Sequence, residues 1–252
     1  VDGRSDIHRL RSFRLPGRFG KQGARSSFFP GKAIKKLIDG FRPDVIHIHN
    51  PFPVGRAAMK YGKHFDIPVV CTNHNIPENT VGNLPFNKLL RRLPNTDERI
   101  WNWQLKFLNQ ANFVTSPTKT AVDLLVAHGL VPPRKPISNG MDLVRFNPKV
   151  AAAPIEKKLH LPKKPIVLYV GRIDGEKRLD VWLKAAALIR KEMDAHFLLG
   201  GRGGEMTRLK RQAIDLGISE HVTFAGPIDH DHLPAFYRLG TIFAITSPAE
   251  LQ

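Results

Sequence analysis

Short apolar runs rich in β-branched residues alternate with stretches of helical periodicity along most of the chain. This alternation predicts parallel sheets with helices on both faces, as in doubly wound α/β domains. Thr118 is a predicted helix N-cap and Gly129 a predicted helix stop. The predicted strands are 44–49, 67–72, 111–116, 134–138, 165–171, 195–201, 221–226 and 241–246, and the predicted helices are 31–41, 54–65, 97–110, 118–129, 178–193, 204–217 and 230–240.

A run rich in Pro, Ala and Lys, at 146–165, interrupts the alternation. Such a composition is typical of a connection between domains. We therefore predict an N-terminal domain at 1–145, a linker at 146–165 and a second domain at 166–252. Residues 11–30 show no period and are predicted to form a long loop. Because the chain starts at Val1 and stops just after an apolar run, we expect it to be a fragment.

The net charge of +17 is concentrated in the first 65 residues, which hold 14 Lys and Arg against 4 Asp and Glu. A basic surface attracts nucleic acid, anionic lipid or a phosphorylated substrate, and it is also compatible with a plain solvated face. No stretch approaches the roughly 20 apolar residues that a membrane span needs. The single cysteine, Cys71, excludes an internal disulfide and fits a reducing compartment, so we expect a cytoplasmic protein.

The stretch LYVGRIDGEKRLD, residues 168–180, places two cations directly after a predicted strand. In open parallel sheets, ligands bind at the carboxyl ends of the strands. Gly171 permits a tight turn, Arg172 can donate a forked pair of hydrogen bonds to a phosphate, and Lys177 adds a mobile charge. The pattern favours a diphosphate site, although a basic loop with no ligand has the same composition.

Glycine and polar residues also follow the other strands of the second domain. The loop GGRGGE, which includes Gly201 and Arg202, permits close approach of backbone N–H groups to a phosphate. It is not a G-x-G-x-x-G fingerprint, which argues against a nicotinamide dinucleotide. The remaining residues of this predicted rim are Gly226, Pro227, Ile228 and Glu250.

Histidines follow two predicted strands of the first domain. His47 and His49 lie on one face of a strand end in HIHNP, and His74 follows the next strand in CTNHN. A lone histidine is more often structural than catalytic. Two histidine-bearing strand ends that face the phosphate loops of the other domain favour a functional site.

Taken in order, these motifs resemble those of a retaining GT-B glycosyltransferase of family 4, over nearly the whole chain. DVIHIHNP (44–51) resembles the family's aspartate-led strand that ends in histidine, and PVVCTNHN (68–75) resembles its second strand. ISNGMDLVRFNP (137–148) is similar to the stretch that leads into the linker, and LYVGRIDGEKRLD to the phosphate-binding loop. TSPAELQ (246–252) resembles the beginning of the family's Glu-x7-Glu element.

The resemblance implies two Rossmann-like domains facing a cleft, the first without its first strand and the second incomplete. By motif, Arg172 and Lys177 would hold the diphosphate of a sugar nucleotide, and His74 and Glu250 would contact the donor sugar. The second glutamate of the element is absent. The implied catalytic residues are His74, Glu250, Arg172 and Lys177; the implied donor-binding residues are Gly171, Arg172, Lys177, Gly201, Arg202, Gly226, Pro227, Ile228 and Glu250; the implied acceptor-side residues are His49, Asn50, His74 and Asn75.

The resemblance further implies a hexosyltransferase that uses a UDP- or GDP-sugar. Its route would be a front-face displacement in which the leaving phosphate takes the acceptor's proton, without a cofactor. The triplet Asp229-His230-Asp231 looks like a D-x-D metal signature. Because it opens a predicted helix, we expect Asp to cap that helix and expect no metal.

The first domain should bind the acceptor. Its stretch RSFRLPGRFGKQGARSSFF (11–29) mixes cations with four phenylalanines, as an interfacial loop would. NHNIPENTVGNLPFNKLLRRL (73–93) resembles lipid-glycosylating members of the family. We therefore expect a membrane lipid such as diacylglycerol or phosphatidylinositol as acceptor, with peripheral membrane contact through residues 1–65.

Soluble sugars, sugar phosphates and polysaccharides remain alternative acceptors. A sugar-nucleotide epimerase of the same fold is a rival, but the Gly171–Lys177 loop and TSPAE favour transfer. A basic nucleic-acid-binding protein is a second rival. No recognised nucleic-acid motif is present, so no nucleic-acid partner is expected.

Overall fold

The computed structural model describes residues 7–15, 25–74, 95–248 and 250. The chain divides into two compact units, one ending at Asn139 and the other running from Gly140 to Glu250. Each unit has its own four-stranded parallel sheet. The alternation of strands and helices predicted from the sequence is confirmed in both.

The sheet of the first unit has the strand order β3-β4-β5-β6. Each strand pairs in parallel with the next one along the chain, so its carboxyl ends lie along one edge. The strands are β3 (Ile46–Ile48), β4 (Val69–Thr72), β5 (Phe113–Ser116) and β6 (Arg134–Pro136), and the helices are α1 (Gly31–Phe41), α2 (Pro53–His64), α3 (Thr96–Leu108) and α4 (Lys119–Ala127). The predicted cap is confirmed, since the Thr118 hydroxyl accepts a hydrogen bond from the Ala121 amide at 3.2 Å.

The predicted loop at 11–30 contains a short antiparallel pair, β1 (Phe13–Arg14) with β2 (Arg25–Ser26), so this prediction is wrong at both ends of the loop. Side-chain contacts stabilise the pair. The Arg25 guanidinium donates to the Ser12 carbonyl oxygen at 2.7 Å, and the Phe13 ring stacks on Phe28 with centroids 4.0 Å apart. Contacts between residues this far apart leave no period in the sequence.

The sheet of the second unit has the order β10-β7-β8-β9. The chain moves outward from β7 to β9 and then returns to the other side of β7, so the strand order reverses between β7 and β10. In open α/β sheets such a reversal opens a crevice at the carboxyl ends of the strands. The strands are β7 (Ile166–Val170), β8 (His196–Gly200), β9 (Val222–Gly226) and β10 (Ile242–Phe243), and the helices are α5 (Ala153–Lys158), α6 (Leu179–Glu192), α7 (Met206–Asp215) and α8 (Leu233–Tyr237).

Both faces of β7 are buried, as expected for a central parallel strand. Val167 and Tyr169 join one apolar cluster, while Ile166 and Leu168 join another on the opposite face. The segment 146–165, predicted as a linker, contains α5, whose Ile155 packs against the second cluster. Among the described helices, none has the length and apolar content that a membrane crossing requires.

Candidate functional site

The loop after β7 holds Arg172 between two carboxylates. The guanidinium lies 3.1 Å from Asp174 and also pairs with Glu176. The Asp174 side chain is only 2% exposed and accepts a hydrogen bond from the Gly204 amide at 3.3 Å. Because buried Asp174 is fixed, it orients Arg172, whose own side chain is half exposed. The arrangement presents a pre-oriented cation to solvent at the carboxyl end of β7.

Lys177 pairs with Glu250 from the segment after β10. The Lys177 ammonium donates to the Glu250 carboxylate at 2.6 Å, and the Thr246 hydroxyl donates to the Lys177 carbonyl oxygen at 3.0 Å. Since β7 and β10 are neighbours, this pair lies where the strand order reverses. The structure thus brings together the two predicted cations and the predicted glutamate at one sheet edge, with each cation neutralised by a carboxylate.

Tyr169 fixes the backbone of the same loop. Its hydroxyl donates to the Arg172 carbonyl oxygen at 2.9 Å. Burial first, and then the nearby Glu250 carboxylate, raise the pKa of Tyr169 well above its usual value. The tyrosine therefore stays neutral and serves as a hydrogen-bond donor.

The glycine-rich loop after β8 packs backbone against backbone on the β7 loop. A Cβ on Gly201, whose φ is +138°, would lie 1.8 Å from the Gly171 carbonyl oxygen. A Cβ on Gly203 would lie 2.0 Å from the Ile173 carbonyl oxygen. The packing of the two loops alone is enough to require these glycines. The phosphate-binding roles predicted for Gly201 and Arg202 stay predictions.

The loop after β9 adjoins the glycine-rich loop. The Gly201 amide donates to the Gly226 carbonyl oxygen at 2.7 Å, and Gly226 has a φ of +74°. Pro227 is exposed, whereas the partly buried Ile228 packs against the apolar cluster of Leu168. Gly226 and Pro227 therefore line the same edge as Arg172, while Ile228 has a structural contact as well.

The triplet at 229–231 does not cap its helix as predicted. Asp229 precedes a short 3-10 turn, His230–His232, but its carboxylate makes no capping hydrogen bond. That carboxylate lies 3.7 Å from His232 Nδ1, and Asp231 lies 3.5 Å from Arg145. Arg145, from the segment before α5, contacts this triplet, and no local pattern in the sequence indicates that contact. Within the described ranges, no cluster of three or more His, Cys, Asp or Glu side chains could hold a metal ion.

In the first unit, hydroxyls and a histidine join the ends of three strands. His47 Nε2 lies 2.6 Å from the Thr72 hydroxyl, which lies 2.7 Å from the Thr115 hydroxyl. Burial first, and then the charges of His49 and His74, lower the pKa of His47. The lowered pKa keeps His47 neutral at neutral pH.

His49 and His74 form a direct pair at the same edge. His49 Nδ1 lies 2.9 Å from His74 Nε2, and the ring centroids are 5.2 Å apart. Burial and the neighbouring His49 lower the pKa of His74. A hydrogen bond between the two rings fixes their tautomers and orientation. Of the other predicted acceptor-side residues, Asn50 lies beside the pair, while Asn75 is outside the described residues.

A small solvent-open recess lies beside this histidine pair. Its floor includes two buried polar residues that sequence reasoning missed: Gln104 Nε2 donates to Asn73 Oδ1 at 2.6 Å. Gln104 shares the buried face of α3 with Trp101 and Leu108, so a polar residue at an apolar helical position was the available signal. Buried Cys71 also lines the recess, and burial raises the pKa of its thiol to about 12. That thiol is therefore protonated and inert.

Comparisons with known proteins match both parts of the chain to glycosyltransferase families. Residues 2–145 match the profile of Glycosyltransferase Family 4, and residues 153–250 match that of Glycosyl transferases group 1. Alpha-monoglucosyldiacylglycerol synthase of Streptococcus pneumoniae is 26% identical over 88% of this chain and 50% of its own length. D-inositol 3-phosphate glycosyltransferase of Salinispora arenicola is 28% identical over 81% of this chain and 48% of its own length.

A solved structure gives the same result for the fold. Anabaena HepE, in complex with UDP-glucose, matches with a TM-score of 0.67 at 18% identity, over 87% of this chain and 57% of HepE. The GT-B fold class predicted from the sequence is confirmed. The chain spans about half the length of these relatives.

Proposed function

The chain belongs to glycosyltransferase family 4, and we propose from this premise that the protein moves a hexose from a nucleoside-diphosphate sugar to an acceptor hydroxyl, with retention at the anomeric carbon. One observation carries the proposal. Arg172 and Lys177 lie together where the strand order of the second unit reverses, next to Glu250. A crevice of this kind is the usual ligand site of an open α/β sheet.

The two cations are suited to a departing diphosphate. In glycosyl transfer, negative charge grows on the leaving group while the sugar becomes oxocarbenium-like. Cations already oriented at that point stabilise the transition state more than the ground state. Arg172 can donate a bidentate pair, and Lys177 a mobile charge. HepE, whose fold this chain shares, was solved with UDP-glucose, which supports a donor of this class.

In this proposal, donor binding rearranges the ion pairs that these cations form with carboxylates. Lys177 exchanges the Glu250 carboxylate for phosphate oxygens, and Glu250 becomes available to the hydroxyls of the donor sugar. Arg172 keeps Asp174 as its orienting partner and turns its exposed edge towards the phosphates. In this proposal Arg172 and Lys177 supply the positive charge at the diphosphate, and no metal is expected.

The first unit supplies the acceptor side in this proposal. His74, oriented by His49, contacts the donor sugar near the reacting carbon, and His49, Asn50 and Asn75 contact the acceptor. The lowered pKa of His74 supports the role, because a neutral imidazole can accept a hydrogen bond from a hydroxyl. The leaving phosphate takes the acceptor's proton, since the resemblance gives no carboxylate nucleophile.

A membrane lipid is the proposed acceptor, reached through peripheral contact at the cytoplasmic face of the membrane. The segment before α1 and the helix itself combine exposed aromatic rings with cations: Phe28 is 67% and Phe29 94% exposed, and Lys32 and Lys36 are exposed on α1. Amphipathic surfaces of this kind bind anionic membranes. The similarity to a diacylglycerol glycosylating enzyme supports this choice, and the similarity to an inositol phosphate glycosyltransferase supports a soluble acceptor as the alternative.

Labelled UDP-glucose and GDP-mannose, incubated with the full-length protein and a lipid extract, test the function. Transfer of label to a chloroform-soluble product supports the lipid acceptor, and transfer to a water-soluble product supports the alternative. Absence of any donor-dependent product from both nucleotides, with the lipid extract and with soluble sugars, would contradict the proposal.

Co-sedimentation with vesicles tests the membrane contact separately. We expect the chain to bind vesicles that contain phosphatidylglycerol at low salt and to lose binding in the Phe29→Ser variant. Val131→Ser is the matched control, because Val131 is likewise a largely exposed apolar residue, at 76%, but lies outside the basic segment. Failure of the unchanged chain to bind would count against a membrane acceptor.

A further inference from the structure

A stacked arginine lies beside the recess of the first unit. The Arg56 guanidinium, in the first turns of α2, lies over the ring of Trp103 at 4.8 Å and that of Phe107 at 5.6 Å from the centroids. Phe107 also lines the recess that contains His49 and His74. The arginine therefore contacts a ring that lines the same recess as the histidine pair, and two aromatic rings hold it in place.

The charge of Arg56 has no acidic partner among the residues that the structure describes. The paired cations of the second unit, Arg172 and Lys177, each contact a carboxylate, whereas no carboxylate in the described part of the chain lies within ion-pair distance of Arg56. The residue is exposed, and the N-terminal turn of α2 adds partial positive charge nearby. The net charge of the first 65 residues, +10, has the same sign.

Exposed aromatic surface adjoins the arginine. Phe52 is 51% and Trp103 42% exposed, and their ring centroids are 6.3 Å apart. Phe52 directly follows Asn50 and Pro51, which line the recess. A ligand that reaches the histidine pair would thus meet a cation and two exposed rings next to it.

We propose that Arg56 binds a phosphate group of the acceptor, while Phe52 and Trp103 contact the apolar surface next to that phosphate. This inference deepens the proposed function and rests on it for the identity of the site as the acceptor side. Stacking on aromatic faces leaves the N–H edge of a guanidinium free, and that edge matches phosphate oxygens in a bidentate manner. The acceptor is therefore a phosphate-bearing molecule rather than neutral diacylglycerol.

Two sources can supply such a phosphate, a phospholipid headgroup or a soluble sugar phosphate. The test uses both: calorimetric titration of the chain with inositol 1-phosphate and with inositol, and co-sedimentation with phosphatidylcholine vesicles with or without phosphatidylinositol. Binding of inositol 1-phosphate identifies the soluble source as sufficient. Binding that requires phosphatidylinositol vesicles identifies the lipid source.

We expect Arg56→Gln to weaken binding in the responding arm by about tenfold or more, because a charge-assisted hydrogen bond is lost. Arg56→Lys should recover part of the affinity, since it keeps the charge without the fork. Lys60→Gln removes an equal charge from an exposed position one turn later on α2, and it should change the affinity by less than about twofold. Far-ultraviolet circular dichroism checks that each variant is folded.

Equal losses in Arg56→Gln and Lys60→Gln would overturn the proposal, because they would reduce it to general electrostatics. Inositol binding as tightly as inositol 1-phosphate would overturn it as well, as would failure of both arms with the unchanged chain. Titration of the unchanged chain with UDP-glucose tests the proposed function independently, so the two failures are distinguishable.

Discussion

Both units place candidate functional side chains at the carboxyl ends of a parallel sheet, but these side chains are charged in the second unit and mostly uncharged in the first. The edge of the second unit carries full charges: Arg172 and Lys177 are held by buried or partly buried carboxylates. The edge of the first unit carries histidines, hydroxyls and amides, and the pKa values of His47 and His74 are lowered, so these two imidazoles are neutral at neutral pH. Parallel topology therefore determines where each site lies, and the side chains determine what it binds.

A structural element common to both units makes the contrast clearer. Each sheet contains a histidine bonded to a threonine on the neighbouring strand, His47 to Thr72 at 2.6 Å and His196 to Thr223 at 2.8 Å. In both cases burial is the main cause that lowers the pKa of the histidine. His196 begins its strand, so its contact lies at the end of the sheet away from Arg172 and Lys177. A charged edge suits a diphosphate, and a neutral edge suits an acceptor hydroxyl.

The largest effect is expected from the charged edge. Lys177→Ala in the full-length protein should lower kcat by about 10²–10³, the usual loss when one group that stabilises developing charge is removed. The measurement is the initial rate of donor-dependent glycosyl transfer. Arg211→Ala is the matched control, because Arg211 is an exposed cation paired with Asp215 on α7. Equal rates in Lys177→Ala and Arg211→Ala would contradict the role of the charged edge.

The glycine-rich loop provides the next largest effect, on stability. In Gly201→Ala the new Cβ would lie 1.8 Å from a backbone oxygen at a φ of +138°, so we expect a loss of about 2 kcal/mol or more in the free energy of unfolding. Gly175→Ala, in the β7 loop with open space around its Cβ, should change it by less than about 1 kcal/mol. Urea unfolding measures both. Comparable stabilities would contradict the close packing of the two loops.

Periodicity predicted the elements well, because burial on one face repeats along the chain. Helix α1, for example, covers Gly31–Phe41, as its pattern indicated. The cations at 172 and 177 were also predictable, since strand ends of parallel sheets lie at one edge. Their carboxylate partners were less predictable, because Lys177 pairs with Glu250 across 73 residues and no local pattern in the sequence indicates such a pair. Gln104 was missed because a single polar residue does not interrupt the helical period, so its buried position within the apolar stripe was not singled out.

The neutral edge should show a smaller effect when one hydroxyl is removed. Thr115→Val keeps the shape of the side chain but takes a hydrogen-bond partner from buried Thr72. We expect a loss of about 1 kcal/mol in the free energy of unfolding. Thr120→Val, an exposed position on α4, should change it by less than about 0.5 kcal/mol. An unchanged urea midpoint in Thr115→Val would show that the hydroxyl chain does not stabilise this edge.

The smallest effect is a dependence on pH. His47 and His74 have pKa values below their usual 6.5, so the unfolded chain takes up protons near pH 6.5 while the folded chain does not. Stability is therefore fully present above about pH 6.5 and falls as the pH drops towards the lower folded values. His49→Asn removes one repulsive charge and should raise the pKa of His74. Nuclear magnetic resonance titration of the imidazole protons measures this, and values at or above 6.5 in the unchanged chain would contradict the neutral edge.

The affinity difference between UDP and UMP tests the central claim most directly, because only the second phosphate distinguishes the two ligands. Calorimetry on the unchanged protein should show UDP binding more tightly than UMP, and in the double variant Arg172→Ala, Lys177→Ala the two affinities should become equal. GDP and GMP serve in the same way if the protein prefers guanine. A preference for the diphosphate that persists undiminished in the double variant would show that Arg172 and Lys177 do not bind the leaving group.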